Sequence, residues 1–250
     1  YASGTSSSSL FAGGGRPLET GQTESWNGTN WTEVNDLNTA RAELRGAGII
    51  TSGLFLGLTE DPPAVNNTDT WNGTNWTEVN NLNATRQAFS GFGSATSALA
   101  FGDEPVSAAT ELWNGTNWTE VADLSSTLYG RAGFGTNASA VVAGGNGPPT
   151  SANSETWDNS SWTEGNNLNT ARRELNGASG DGDGASDNAI AFGGNTPSPG
   201  APAITESWNG TSWSEVADLA TARATLSGAG TGLLGLASGG ATAPGTDSAL

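Results

Sequence analysis

The chain has 250 residues, 25 acids against eight Arg, no Lys, and a formal net charge of −17; His, Cys and Met are absent. This inventory excludes the usual zinc and haem sites, disulfides, and Ser-His or Cys-His nucleophile pairs. A nucleic-acid binder or a partner of anionic membranes must neutralise phosphates, and this chain would repel them.

The elements follow one another as a repeat. Ala2-Ser3-Gly4-Thr5 is the end of a first strand, similar to Ala229-Gly230-Thr231 late in the chain. Leu10-Phe11-Ala12-Gly13-Gly14 is an apolar second strand closed by Gly. Trp26-Asn27-Gly28-Thr29-Asn30-Trp31-Thr32-Glu33-Val34 is a hairpin, with Trp26 on strand three, Trp31 on strand four, and Asn-Gly as the turn signal. Leu37 to Arg41 forms a turn, and Glu43 to Gly48 begins the next unit as its strand one. Strand two then recurs at Leu54 to Gly57, Leu99 to Gly102, Val141 to Gly145, Ile190 to Gly194 and Leu234 to Gly240. The hairpin recurs at Trp71 to Val79, Trp113 to Val121, Trp157 to Gly165 and Trp208 to Val216. Successive first Trp lie 45, 42, 44 and 51 residues apart, the period of a four-stranded propeller blade.

Two further features fit antiparallel blades. All ten Pro fall between strands two and three, where no ladder donor is needed. The small residues of strand one suit a crowded hub where backbones approach closely. Strand two occurs six times and the Trp hairpin five, while Thr246-Asp247-Ser248 resembles Thr23-Glu24-Ser25. The expected fold is therefore an all-β propeller filling residues 1–250 as one domain of about five and a half units. Six blades are favoured, the ends meeting in an incomplete blade. Seven blades, or five with a tail, are the alternatives. Without Met, residue 1 is not a translation start, so the expectation is a processed chain or part of a longer one.

The Gly-Gly closing strand two, the aromatic on strand three and the Trp on strand four resemble kelch-type repeats over nearly the whole chain. The repeated Trp-Asn-Gly-Thr-Asn-Trp-Thr-Glu wording is similar to kelch-like structural proteins of marine phages and bacteria. Kelch-like folds include copper-radical oxidases, whose chemistry needs His and a Tyr-Cys crosslink that this chain cannot supply. Sialidases share the architecture, but only Tyr1 and Tyr129 occur here and there is no Asp-box string.

Charged residues recur at fixed places. Arg41, Arg86, Arg131, Arg172 and Arg223 follow strand four, and Glu24, Asp69, Glu111, Glu155 and Glu206 precede the first Trp. Glu33, Glu78, Glu120, Glu164 and Glu215 follow the second Trp. Strand alternation puts both acids on the Trp face, where one Arg fork per two carboxylates offsets their repulsion. Fivefold recurrence favours a structural clamp between blades over a binding ring. The Trp pairs likewise read as packing between blades rather than sugar platforms. The loop Gly180-Asp181-Gly182-Asp183-Gly184-Ala185-Ser186-Asp187 offers hard oxygen ligands, so Asp181, Asp183 and Asp187 are a calcium candidate, with a solvated turn as the plainer reading.

These observations lead to an expected function: a non-enzymatic structural or adhesive module, extracellular or on a virion surface, needing no cofactor. Its partners would be protein neighbours or a surface glycan, with no nucleic acid and no membrane insertion. Variable loops on a rigid scaffold carry binding, which points to residues 15–22, 59–67, 103–109, 146–153 and 195–204. The named candidates there are Arg16, Glu60, Asp61, Asp103, Glu104, Asn146 and Asn195. A carbohydrate-active hydrolase using Asp or Glu pairs, or a pure assembly repeat, are the alternatives.

Overall fold

The computed structural model describes residues 2–5, 7–14, 19–42, 44–57, 66–86, 89–103, 107–179, 187–197, 200–243 and 246–247. Five four-stranded antiparallel sheets are present, each in simple sequence order. The first contains β1 (Ala2–Thr5), β2 (Ser8–Gly14), β3 (Thr20–Trp26) and β4 (Trp31–Val34). The second contains β5 (Arg45–Ile49), β6 (Ser52–Leu56), β7 (Thr68–Trp71) and β8 (Trp76–Val79). The third contains β9 (Ser90–Ser94), β10 (Ser97–Asp103), β11 (Ser107–Trp113) and β12 (Trp118–Val121). The fourth contains β13 (Ala132–Gly135), β14 (Ala140–Ala143), β15 (Ser154–Trp157) and β16 (Trp162–Glu164). The fifth contains β17 (Asn176–Ser179), β18 (Ala189–Phe192), β19 (Thr205–Trp208) and β20 (Trp213–Glu215). No helix occurs among the described residues.

The sheets are the blades of a propeller. Their first strands form the hub: β1, β5, β9, β13 and β17 each pack against the next. The favoured count of six blades is corrected to five. The sixth unit forms no four-stranded sheet among the described residues. It yields only β21 (Ser227–Gly230) paired with β22 (Gly235–Ser238), and β23 (Ala241–Ala243) paired with β24 (Thr246–Asp247). β21 packs against β17 on one side and β1 on the other, so this two-stranded sheet completes the hub. The hub is tight: a Cβ at Gly228 would meet the carbonyl oxygen of Gly177 on the neighbouring inner strand. Only Gly allows that approach.

The hairpin turn explains the repeated wording. Trp26 pairs directly with Trp31 across a four-residue loop. Asn27 Oδ1 accepts the backbone N–H groups of Thr29 and Asn30, both at 2.9 Å, and Gly28 takes a φ of 91°. The same side-chain turn recurs at Asn72, Asn114 and Asn209. In the fourth blade Asp158 replaces Asn, and Asn159 takes the left-handed place at φ 74°. Hydrogen bonds from the Ser160 hydroxyl and from the Ser160 and Ser161 backbone hold the Asp158 carboxyl below its usual pKa.

The core lies between blades. Leu54 and Leu56 pack with Trp113 and Trp118 of the next blade. Leu10, Leu37 and Leu44 pack with Phe55, Trp71 and Trp76. Eight Trp, in blades two to five, are buried; Trp31 of the first blade is 49 % exposed. Buried Trp N–H groups need acceptors. In blades two to five the second Trp finds one on the preceding blade: Trp76 donates to Thr23 Oγ1 at 3.2 Å, and Trp118 to Thr68 Oγ1 at 3.1 Å.

Candidate functional site

Four ion pairs cross the seams between blades. Arg41 meets Asp69, Arg86 meets Glu111 at 2.8 Å, Arg131 meets Glu155 at 2.7 Å and Arg172 meets Glu206 at 2.8 Å. Each Arg follows the fourth strand of one blade and reaches the acid on the third strand of the next. Every one of these side chains is buried. Burial pushes the Arg41, Arg131 and Arg172 guanidinium groups below their usual pKa, yet guanidinium stays charged in proteins.

Three expectations for these charges are corrected. The second acids, Glu33, Glu78, Glu120, Glu164 and Glu215, are exposed, because strand four is the outermost strand and its edge meets water. Each Arg therefore meets one carboxylate rather than two. Glu24 is exposed with no cation among the described residues. Arg223 is only partly buried and donates to Gly239 O at 2.8 Å, with no carboxylate among the described residues. Arg131 holds its pair from an unexpected place. It stands where other units have Leu44, Phe89, Leu175 and Leu226, while Leu128 stands where they have Arg.

Glu155 titrates below the ordinary carboxylate range. Burial opposes its ionisation, but the charge and hydrogen bond of Arg131, with donation from Ser125, outweigh that opposition. A depressed carboxyl contributes stability above its unfolded pKa, near 4.5, and loses that contribution as pH falls through the lower folded value. The melting temperature should therefore drop below about pH 4.5, and Glu155→Gln should flatten part of that acid limb. Thermal melts across the acid range check this; an unchanged limb in the variant would contradict it.

Four seams between blades are thus bridged by buried ion pairs, and an open concavity lies on the propeller axis. A cavity of about 460 Å³ sits where the inner strands begin. Its polar lining includes Arg45, Ser90, Tyr129, Glu174, Asn176 and Thr225, with Ser227 and the clamp Arg131 beside them. These six residues lie within a few positions of the clamp Arg, after it except for Tyr129, which precedes Arg131, and unlike the clamp they differ from unit to unit. The loops that carry them are tied to one another around the axis. Glu174 N donates to Gly130 O at 2.9 Å, and Thr225 N donates to Glu174 O at 3.1 Å. Gly130, Glu174 and Thr225 all take positive φ, 60°, 54° and 53°. That conformation is uncommon for Glu and an outlier for β-branched Thr, and such residues gather at functional sites.

Asn146 and Asn195, named from sequence, stand behind this cavity. Asn146 Nδ2 donates to the Tyr129 hydroxyl at 2.5 Å, and Arg173 Nη1 donates to Asn146 Oδ1 at 3.3 Å. Asn195 Nδ2 donates to Glu174 Oε2 at 2.7 Å. Asp103 ends β10, but its side chain lies outside the described residues, as do Arg16, Glu60, Asp61 and Glu104. Asp181 and Asp183 also lie outside them, and Asp187 is exposed. Among the described residues no cluster of three or more acids could hold a metal. Sequence reasoning missed Arg45, Tyr129, Arg173 and Glu174. The signal was present as the break in repeat symmetry beside each clamp Arg, with Tyr129 one of only two Tyr in the chain.

No family model and no curated protein matches the chain. Solved structures do resemble it. One titled "Structure of YjhT" aligns over 98 % of this chain and 91 % of its own length, with a TM-score of 0.78 and 11 % identity. At that identity the likeness concerns the fold: this chain is a β-propeller of four-stranded antiparallel blades.

Proposed function

We propose that the protein is a non-enzymatic recognition module, displayed on a virion or cell surface, that holds the end of a glycan in the axial cavity. The observation that carries this reading is the change of polar residue from unit to unit around the cavity, beside four seams that keep their ion pair. Arg45, Ser90, Asn176 and Thr225 offer a mixed set of donors and acceptors around Tyr129, and sugar hydroxyls use both while ring C–H faces pack on aromatic rings. A concave site with a few convergent polar groups is where small ligands bind. Eight buried Trp are withdrawn from any sugar contact. Glu174 is the sole carboxylate among the described lining residues, whereas glycoside hydrolysis uses a pair. This reading assigns no role to calcium.

Immobilised glycan polymers should retain the wild type. Tyr129→Ala and Glu174→Gln should each weaken retention about tenfold, the scale of one lost polar contact, with little change in melting temperature. Release of cleaved product would overturn the non-enzymatic reading. Full retention by both variants would move the site off the axis.

A further inference from the structure

Around the mouth of the axial cavity one short backbone bridge recurs among the described residues. It joins Tyr129 to Asn146 in the fourth blade, Arg173 to Asn195 in the fifth, and Ala224 to Ala241 beside β21. Each bridge is a reciprocal pair of backbone hydrogen bonds, at 2.6 and 3.3 Å for Tyr129 and Asn146 and at 2.9 and 3.0 Å for the two Ala. The Ala pair shows that the bridge closes without polar side chains. The other two pairs nonetheless carry a chain of polar contacts. Tyr129 Oη accepts from Asn146 Nδ2, and Asn146 Oδ1 accepts from Arg173 Nη1. Glu174, next to Arg173 in sequence, accepts at Oε2 from Asn195 Nδ2. Arg173 Nε stands 3.8 Å from Glu174 Oε1, beyond hydrogen-bond reach. Glu174 is held beside Tyr129, because its backbone N–H donates to Gly130 O at 2.9 Å. On the opposite wall Arg45 Nε and Nη1 donate to Phe89 O and Leu44 O, and the Ser90 hydroxyl donates to Arg131 O, so those groups also hold the fold.

We infer that Asn146 and Asn195 are positioning residues, which set Tyr129 as a donor and Glu174 as an acceptor toward a vicinal diol of the terminal sugar; this rests on the glycan reading above. A guanidinium only donates, so Arg173 turns the Asn146 oxygen to itself and the Asn146 amide N–H toward Tyr129. A phenol has one proton beside its acceptor lone pairs. Since Asn146 already donates to it, the Tyr129 hydroxyl keeps its own proton for a partner in the cavity that it lines. In the same way Asn195 occupies Glu174 Oε2 and leaves Oε1 to accept. A donor and an acceptor side by side match two adjacent sugar hydroxyls, one accepting from Tyr129 and the other donating to Glu174. Side chains locked from behind by such hydrogen bonds meet a ligand without reordering.

The probes are beads of mannan and galactan, either untreated or cleaved at their vicinal diols by periodate and then reduced. The whole chain should be retained by untreated beads and about tenfold less by cleaved ones. Asn146→Asp keeps the contact with Arg173 but replaces the amide donor by an acceptor, which draws the Tyr129 proton back. Retention should fall about tenfold with the melting temperature unchanged. In a Tyr129→Phe background the same change should cost nothing further, since Asn146 acts only through the hydroxyl it positions. Asn195→Ala, which takes the residue found at 241, should weaken retention similarly and have no added effect beside Glu174→Gln. Full retention by both Asn variants, or losses that add in the double variants, would overturn the positioning roles. Undiminished retention on cleaved beads would overturn the diol. Either result leaves the glycan reading standing, whereas a wild type that no untreated bead retains would overturn both.

Discussion

Arg86→Ala should lower stability by about 3–5 kcal/mol, the cost of stranding one partner of a buried ion pair. Arg86 Nε and Nη2 both donate to Glu111 Oε1, at 3.1 and 2.8 Å, and Nη1 donates to Gly102 O and Ala109 O. The other Glu111 oxygen already accepts from the backbone and side chain of Asn83, both at 2.8 Å. Truncation therefore leaves a charge, buried to 1 % exposure, held by neutral donors alone. Arg223→Ala offers the control within the same repeat, because that side chain is only partly buried. Its loss should cost less than half as much. Denaturant melts of the two variants side by side decide the matter. Equal losses would mean that the Arg stems, rather than the ion pairs, hold the seams. Glycan retention should be the same in Arg86→Ala as in the wild type.

Trp118→Ala should cost about 3–5 kcal/mol, as large-to-small changes of buried aromatics do. Trp118 is 5 % exposed, lies 5.3 Å from Trp113 between ring centroids, and bonds across the seam to Thr68. Removing it opens a cavity between two blades and leaves a hydroxyl without its donor. Trp31→Ala, at the same repeat position, removes a ring that water already reaches and should cost about 1 kcal/mol or less. Trp31 keeps its stacking on Trp26, at 5.4 Å and 41°, so any larger loss would report that contact alone. Melting curves of both variants test the difference, and similar losses would contradict it.

The blade was legible because its determinants are local. Asn-Gly between two Trp dictates the hairpin, Pro marks the connectors, and period two sets which residues share a face. The blade count was harder, since it depends on how far β21 must pack from β17 to reach β1, which no local pattern encodes. The acid pairs show the same boundary. Alternation correctly placed Asp69 and Glu78 on one face, and the register pairs them directly. It could not show that the outermost strand leaves Glu78 in water. The cavity was least legible. Regularity drew attention to the residues that recur, while the residues around the axis are defined by failing to recur.

The exchange of Leu128 and Arg131 bears on how such units diverge. A guanidinium can enter the seam from either of two backbone positions, provided an apolar side chain takes the one it vacates. Glu155 keeps its partner at 2.7 Å through that transposition. Selection acting on this seam thus reads a charge at a point in space, not a letter at a column. Two tandem copies could drift apart by compensated swaps with no loss of fit, and a ruler laid along the sequence would score the drift as decay.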